Sequence, residues 1–327
     1  MSLAPNPAPR LGFDGSPGPP LMVLRERRDV VLARPVLALT VYLEDEPRWA
    51  ESGAAAMLES FFRRPQAGVL RYVRSSARAG WRALGRRDEV TAALRSHGGP
   101  RHLLRVQVAD RADVPSLSFT YREVAPRPGG PCGYMQLALP LDTDPDELLA
   151  LALEVAQDHP FACAVGGVAV LWNDELPQNA FRAIRRLCKR YWALDVPTPD
   201  GQSLGARDHL PSASWLTLVG AAMAARHAGA APCLADGAAD VAGVARMTLR
   251  HGLLFRAGES PTAGDMNRFE YPHAVHALHH ALWPALAGAQ TRFPRGFAGD
   301  VEGPDDGDGD DATTRWRERF LRPAGWT

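Results

Sequence analysis

Three short stretches with a two-residue period follow one another between residues 104 and 139. Leu104, Val106 and Val108 alternate with Arg105 and Gln107. Leu117, Phe119 and Tyr121 alternate with Ser118, Thr120 and Arg122, and Tyr134–Leu139 follows the turn Gly129-Gly130-Pro131. This period belongs to strands with one face in a core. Three in succession predict an antiparallel meander with one buried and one solvated face. Val36–Leu43 is apolar almost throughout, which predicts a central strand. Leu253–Phe255 suits a buried strand, and Trp215–Met223 reads as a strand running into a helix.

Helices separate these strands. Trp49–Phe62 reads as a helix that stops before Pro65. Asp144-Pro145-Asp146-Glu147 is a helix start: Asp144 can cap, Pro145 suits the first turn, and Glu147 can complete a capping box. In Pro177–Tyr191, Phe181, Ile184, Cys188 and Tyr191 fall on one face, opposite Arg182, Arg185, Arg186, Lys189 and Arg190. Phe161–Trp172 reads as a strand broken or bulged at Gly166-Gly167, and Asp195–Leu210 as a Pro/Gly loop. The fold class that follows is α+β, with a mixed or mainly antiparallel sheet covered by helices.

At 327 residues and 46% hydrophobic content, the chain can build a substantial core. Residues 1–20 are Pro- and Gly-rich and read as an unstructured lead-in. Residues 21–298 read as one α+β domain, 299–312 as an acidic, Gly-rich linker, and 313–327 as a short terminal helix. The formal net charge is zero, so nothing global draws the chain to nucleic acid or anionic membrane. Lys189 is the only lysine; every other basic side chain is arginine. Cys132, Cys163, Cys188 and Cys233 show neither C-x-x-C pairing nor zinc-like spacing, which suits a reducing compartment. There is no charged n-region with an apolar h-region at the start, and no apolar run approaches the roughly 20 residues of a membrane helix. The expectation is a cytoplasmic protein.

Motifs for chemistry are sparse. At 3.6 residues per turn, His273, His276 and His280 share a helix face opposite Val275, Leu278, Leu282 and Leu286, so they point to solvent or to a partner. A catalytic metal site would add carboxylate or cysteine ligands, and no H-E-x-x-H is present, so neither metal nor cofactor is expected. Asp306, Asp308 and Asp310 alternate as in a calcium loop. The position that needs glycine is Asp311, however, and the twelfth is Arg317, so a standard EF-hand is excluded. No G-x-S-x-G elbow and no nucleotide-binding glycine pattern occurs. No catalytic residue can be named.

A further loop is dense in Gly and Pro: Gly258, Pro261 and Gly264 lead to Asp265, Asn267 and Arg268, and Pro272 then opens a helix. Asp265 and Asn267 suit a turn or cap, and Arg268 a carboxylate partner. The segment G-E-S-P-T-A-G-D-M-N-R resembles the C-terminal signature of the type VI secretion immunity protein family. R-Y-W-A-L-D-V (Arg190–Val196) and S-W-L-T-L-V-G (Ser214–Gly220) fit the same family. The resemblance spans roughly residues 35–290 and is poorest before residue 100. It implies a cytoplasmic protein that binds and silences a partner toxin encoded nearby, often a nuclease, by steric and electrostatic occlusion and without turnover. Contacts with a basic toxin would fall on Asp174 and Glu175, on His273, His276 and His280, and on Asp305, Asp306, Asp308, Asp310 and Asp311. Whether the Gly-Asp-Met-Asn-Arg loop is scaffold or contact stays open. Two other readings stand beside this one. One is nucleic-acid binding through the Arg-rich 63–111 stretch and the 182–190 helix face; the other is a metal-dependent enzyme centred on 258–280.

Overall fold

The computed structural model describes residues 23–27, 30–44, 53–75, 80–96, 104–124, 127, 129–235, 237, 240–289, 293–294, 297 and 308–326. The proposed lead-in, the start of the Trp49 helix, and Asp305 and Asp306 lie outside these residues.

In chain order the strands are β1 (Leu24–Arg27), β2 (Val30–Leu43), β3 (Tyr72–Arg74), β4 (Arg82–Ala83), β5 (Arg105–Ala109), β6 (Ser118–Arg122), β7 (Tyr134–Leu139), β8 (Phe161–Trp172), β9 (Leu216–Gly220), β10 (Val244–Leu249) and β11 (Gly252–Ala257). The helices are α1 (Ala54–Arg63), α2 (Arg87–Ser96), α3 (Pro145–Asp158), α4 (Pro177–Arg190), α5 (Pro199–Gln202), α6 (Ala221–His227), α7 (His273–Ala281), α8 (Trp283–Leu286) and α9 (Asp308–Arg317). All eleven strands join one sheet, in the order β10-β11-β9-β8-β2-β7-β6-β5-β3-β4, with β1 against the start of β2. Every ladder between named strands is antiparallel.

β2 is central because its β-branched and leucine-rich sequence can be buried on both faces. β8 pairs along one side of it, and β1 and then β7 along the other. Pro35 falls between the last β1 partner, Ala33, and the first β7 partner, Leu37. A missing N–H there costs no ladder bond on that side. The predicted meander is β5-β6-β7.

Register puts Leu37 opposite Leu139, and Leu39, Leu137, Phe119 and Val108 in one row. Phe61 of α1 packs on Phe119 with ring centroids 6.0 Å apart. Both α3 and α4 pack on β2 and β8, α6 on β8, β9 and β11, and α7 on β10 and β11. Each large apolar side chain buried in this way contributes about 1.5–3 kcal/mol.

Some expectations need correction. β8 runs through Gly166 and Gly167 without a break, its only register shift lying at the Tyr42/Leu43 end of the β2 partner. The glycines serve close packing instead. A Cβ on Gly166 would meet Leu39 Cδ1 at 3.1 Å, and one on Gly167 would meet Ser214 Oγ at 2.6 Å. Asp144 caps α3 by accepting from the Asp146 N–H, but there is no capping box: Glu147 Oε1 accepts from Gln66 Nε2 at 2.7 Å. The loop after Asp195 contains the short turn α5. The final helix opens at Asp308 rather than near Thr313, because acidic residues suit a helix N-terminus. That segment belongs to the main core, where Trp316, Phe320 and Trp326 are buried and Trp326 Nε1 donates to the Cys188 carbonyl at 3.2 Å.

Candidate functional site

The polar positions of the meander do not simply face water. Strand register places Arg74, Gln107, Thr120, Gln136 and Thr40 in one row across β3, β5, β6, β7 and β2. Arg74 donates to Gln107 Oε1 from Nε (3.0 Å) and Nη2 (2.6 Å), and Gln136 Nε2 donates to Thr40 Oγ1 at 3.1 Å. The adjoining row is Arg105, Arg122, Tyr134 and Tyr42. α5 sits over it. Asp200 accepts from the Tyr134 hydroxyl at 2.7 Å, pairs with Arg122, and lies 3.6 Å from Arg105. Tyr42 donates to Gln202 Oε1 at 2.8 Å, which pins the other end of α5. Burial pushes the Tyr134 hydroxyl well above the usual phenol range, and the Asp200 charge adds to this.

Between α5 and the β3–β4 end of the sheet lies a cleft of about 270 Å³, floored by Gln107, Ser118, Thr120 and Gln136. Trp81, Pro115, Trp172 and Pro197 line its walls, together with Asp113 and Asp174. Arg74 lies under the rim, its side chain 13% exposed, 3.3 Å from Asp174 and over the Trp81 ring at 4.8 Å. Asp174 stands at the edge with 55% of its side chain exposed. Glu175 is exposed beside it. The cleft therefore offers amide and hydroxyl groups on its floor and mixed charge around it.

A second construction unites the motifs that carry the family resemblance. Arg190, the last residue of α4, donates to both Asp265 oxygens, from Nε at 2.8 Å and Nη2 at 2.6 Å. Asp265 also accepts from the Asn267 N–H at 3.1 Å, while Arg268 Nε lies 3.9 Å away. The neighbouring backbones are joined as well: Trp192 N–H donates to Gly264 O at 3.1 Å and Ala193 N–H to Ala263 O at 2.8 Å. Gly264 has φ 68°, and a Cβ there would meet Pro272 Cδ at 2.8 Å, so the turn requires glycine. Burial is the largest single influence on the Asp265 pKa and works to raise it, but the Arg190 hydrogen bonds and charge, the Asn267 N–H and the Arg268 charge together outweigh it and hold the carboxyl below its usual range. Further along, Asp195 bridges to Ala169 and accepts from Ser212 Oγ at 3.0 Å. Burial raises its pKa, and the Ser212 bond opposes the rise. Trp215 Nε1 donates to Gly258 O at 3.3 Å. Three segments distant in sequence are thus joined by hydrogen bonds.

The histidines of α7 have the expected helical phase, since Val275, Leu278 and Leu282 are buried. His273 is exposed, whereas His276 is half-buried, edge-on to His280 at 4.5 Å and 5.8 Å from the Phe320 ring. The His280 Nε2 lies 3.0 Å from the Phe320 carbonyl. The C-terminal segment therefore borders the face that the sequence leaves to solvent or a partner. His279, which helical phase alone does not single out, is 4% exposed with Nε2 3.0 Å from the Arg317 carbonyl. Burial lowers its pKa to about 3. Among the described residues no group of three or more His, Cys, Asp and Glu could hold a metal ion. Asp308, Asp310 and Asp311 lie in the first turn of α9. Asp174 and Glu175, the α7 histidines and the acidic residues of α9 come from three separate elements.

The fold defines the class first: an α+β protein built on one wide antiparallel sheet. A Pseudomonas aeruginosa T6SS protein, PA0821, has the same fold. It matches with a TM-score of 0.71 over 91% of this chain and 86% of its own, at 16% identity. The family model described as TsiV, type VI immunity for VRR-NUC, matches residues 101–320, and the chain belongs to this family. The match begins where the sequence resemblance strengthens and continues past residue 290 into α9. None of the curated proteins matches the chain. No helix among the described residues is long and apolar enough to cross a membrane.

Proposed function

We propose that the chain is a cytoplasmic immunity protein that binds a type VI nuclease toxin of the VRR-NUC kind, encoded nearby, and blocks its active site without turnover. Membership of the TsiV family over residues 101–320 carries this reading. Asp174, Glu175, His273, His276 and His280 are the proposed contacts, with the acidic run Asp305, Asp306, Asp308, Asp310 and Asp311 facing a basic surface on the toxin. Several arginines of the 63–111 stretch are engaged internally, Arg64 with Glu154, Arg74 with Asp174 and Arg105 with Asp200. That favours a protein partner over nucleic acid.

The test is rescue. The neighbouring toxin is expressed in a bacterial host with and without this chain, and any complex is isolated by size exclusion. Survival together with a stable complex is the expected result. Survival without a complex points to an enzyme that reverses the damage, and death in both cultures contradicts the proposal.

A further inference from the structure

Phe269 projects from the end of the signature loop with 93% of its surface exposed. Among the described residues it is also the only non-glycine with positive φ, at 60°. A bulky L-residue in the left-handed region costs about 1–2 kcal/mol, and an exposed aromatic ring forgoes the burial that makes such residues valuable. A chain that needed only a turn here would gain from Gly or Asn. The mount is rigid as well. Phe269 N–H donates to Met266 O at 3.2 Å, Arg268 and Glu270 N–H donate to Asp265 O at 3.0 Å, and Asp265 is gripped by Arg190. Its chain neighbours Asn267, Arg268 and Glu270 are exposed as well. An aromatic centre with a polar rim is the anatomy of an interface hot spot.

We infer that Phe269 is the anchor by which this chain engages its toxin, an inference that rests on the immunity reading. The ring enters an apolar recess of the partner protein, and Arg268 and Glu270 pair with groups of opposite sign on the recess edge. A nucleic acid is the poorer match, because Glu270 beside the ring repels a phosphate backbone while Arg268, the cation on its other side, already lies 3.9 Å from Asp265. A second copy of this chain is the competing occupant, since the cleft walled by Trp81, Pro115, Trp172 and Pro197 measures about 270 Å³; the concentration dependence of the wild-type chain separates it from the toxin.

Phe269→Gly and Phe269→Asn both suit the left-handed backbone, so they remove the ring without disturbing the loop. Tm is expected to stay equal or rise, while affinity for the purified toxin, read by calorimetry, falls about 30-fold or more. Wild-type affinity in both variants overturns the inference and leaves the immunity reading standing. A marked fall in Tm overturns it too, by placing the ring against another part of the same chain. A concentration-dependent wild-type dimer that both variants abolish assigns the ring to self-association instead. A wild-type chain that fails to bind toxin overturns the immunity reading itself, and this inference with it.

Discussion

Arg190 and Asp265, at the end of one helix and the start of a distant turn, are joined by two hydrogen bonds of 2.8 and 2.6 Å with the carboxylate only 8% exposed. Planar fork meets planar carboxylate, the geometry in which arginine has no substitute. Arg190→Ala leaves the buried Asp265 with only the Asn267 N–H and the more distant Arg268, and is expected to cost about 3 kcal/mol. Arg190→Lys recovers only part of that. Urea denaturation of the three proteins measures both effects, and equal midpoints would remove the pair from the scaffold.

Stability should fall in acid in a way that His279 helps to set. Its ordinary pKa is near 6.5; burial, helped by the Arg319 charge, lowers it to about 3 in the folded chain. Between those values the unfolded state binds the extra proton, so stability is lost as pH falls, at about 1.4 kcal/mol per pH unit for one proton. His209 and His276, also lowered by burial, add to the same trend. Asp265 acts lower still: its stabilisation is present above the unfolded carboxyl pKa and lost as pH falls through the depressed folded value. Asp195 has the opposite sign. Its raised pKa means that its contribution is complete below the unfolded value and lost as pH rises through the folded one. His279→Gln should flatten the decline of the urea midpoint between pH 6.5 and 4. Parallel curves for the two proteins would exclude His279 as a source of it.

Gly167→Ala places a methyl group 2.6 Å from Ser214 Oγ and 3.2 Å from Trp215 Cβ. Overpacking of this kind costs about 1–3 kcal/mol. Thermal denaturation should show the loss, and Gly167→Ala with Ser214→Ala should recover part of it. An unshifted Tm would show that β8 can move away.

Asp174 and Glu175 are among the proposed contacts with the toxin. Reversing Asp174 and Glu175 to lysine should slow association with a basic toxin about tenfold at low salt, and much less at high salt. Stopped-flow or surface-binding kinetics reads this directly. Association that is unchanged at low salt would take these two carboxylates out of the interface.

Much of the sheet is legible from local patterns, since alternation at 104–108, 117–122 and 134–139 depends on only one buried face per strand. The Gly166-Gly167 pair was not, because a glycine within a strand serves either a bulge or close packing. Only Ser214 and Trp215, distant in sequence, decide between them. The cleft was equally hidden: Arg122 and Asp200 meet across 78 residues, and no spacing rule links them. Helical period placed the α7 histidines opposite Val275 and Leu278, but the carbonyls of Arg317 and Phe320 that border them belong to the C-terminal segment. The family motifs were readable singly, while the meeting of Arg190 with Asp265 and of Trp215 with Gly258 was not.

The most direct test of the central claim is a titration. Purified toxin of the neighbouring gene, cleaving labelled DNA, is mixed with increasing amounts of this chain. Binding without turnover predicts that cleavage falls linearly to an end point at equimolar protein and stays there over time. Full protection at a small fraction of an equivalent, or cleavage unaffected by an excess, would contradict it.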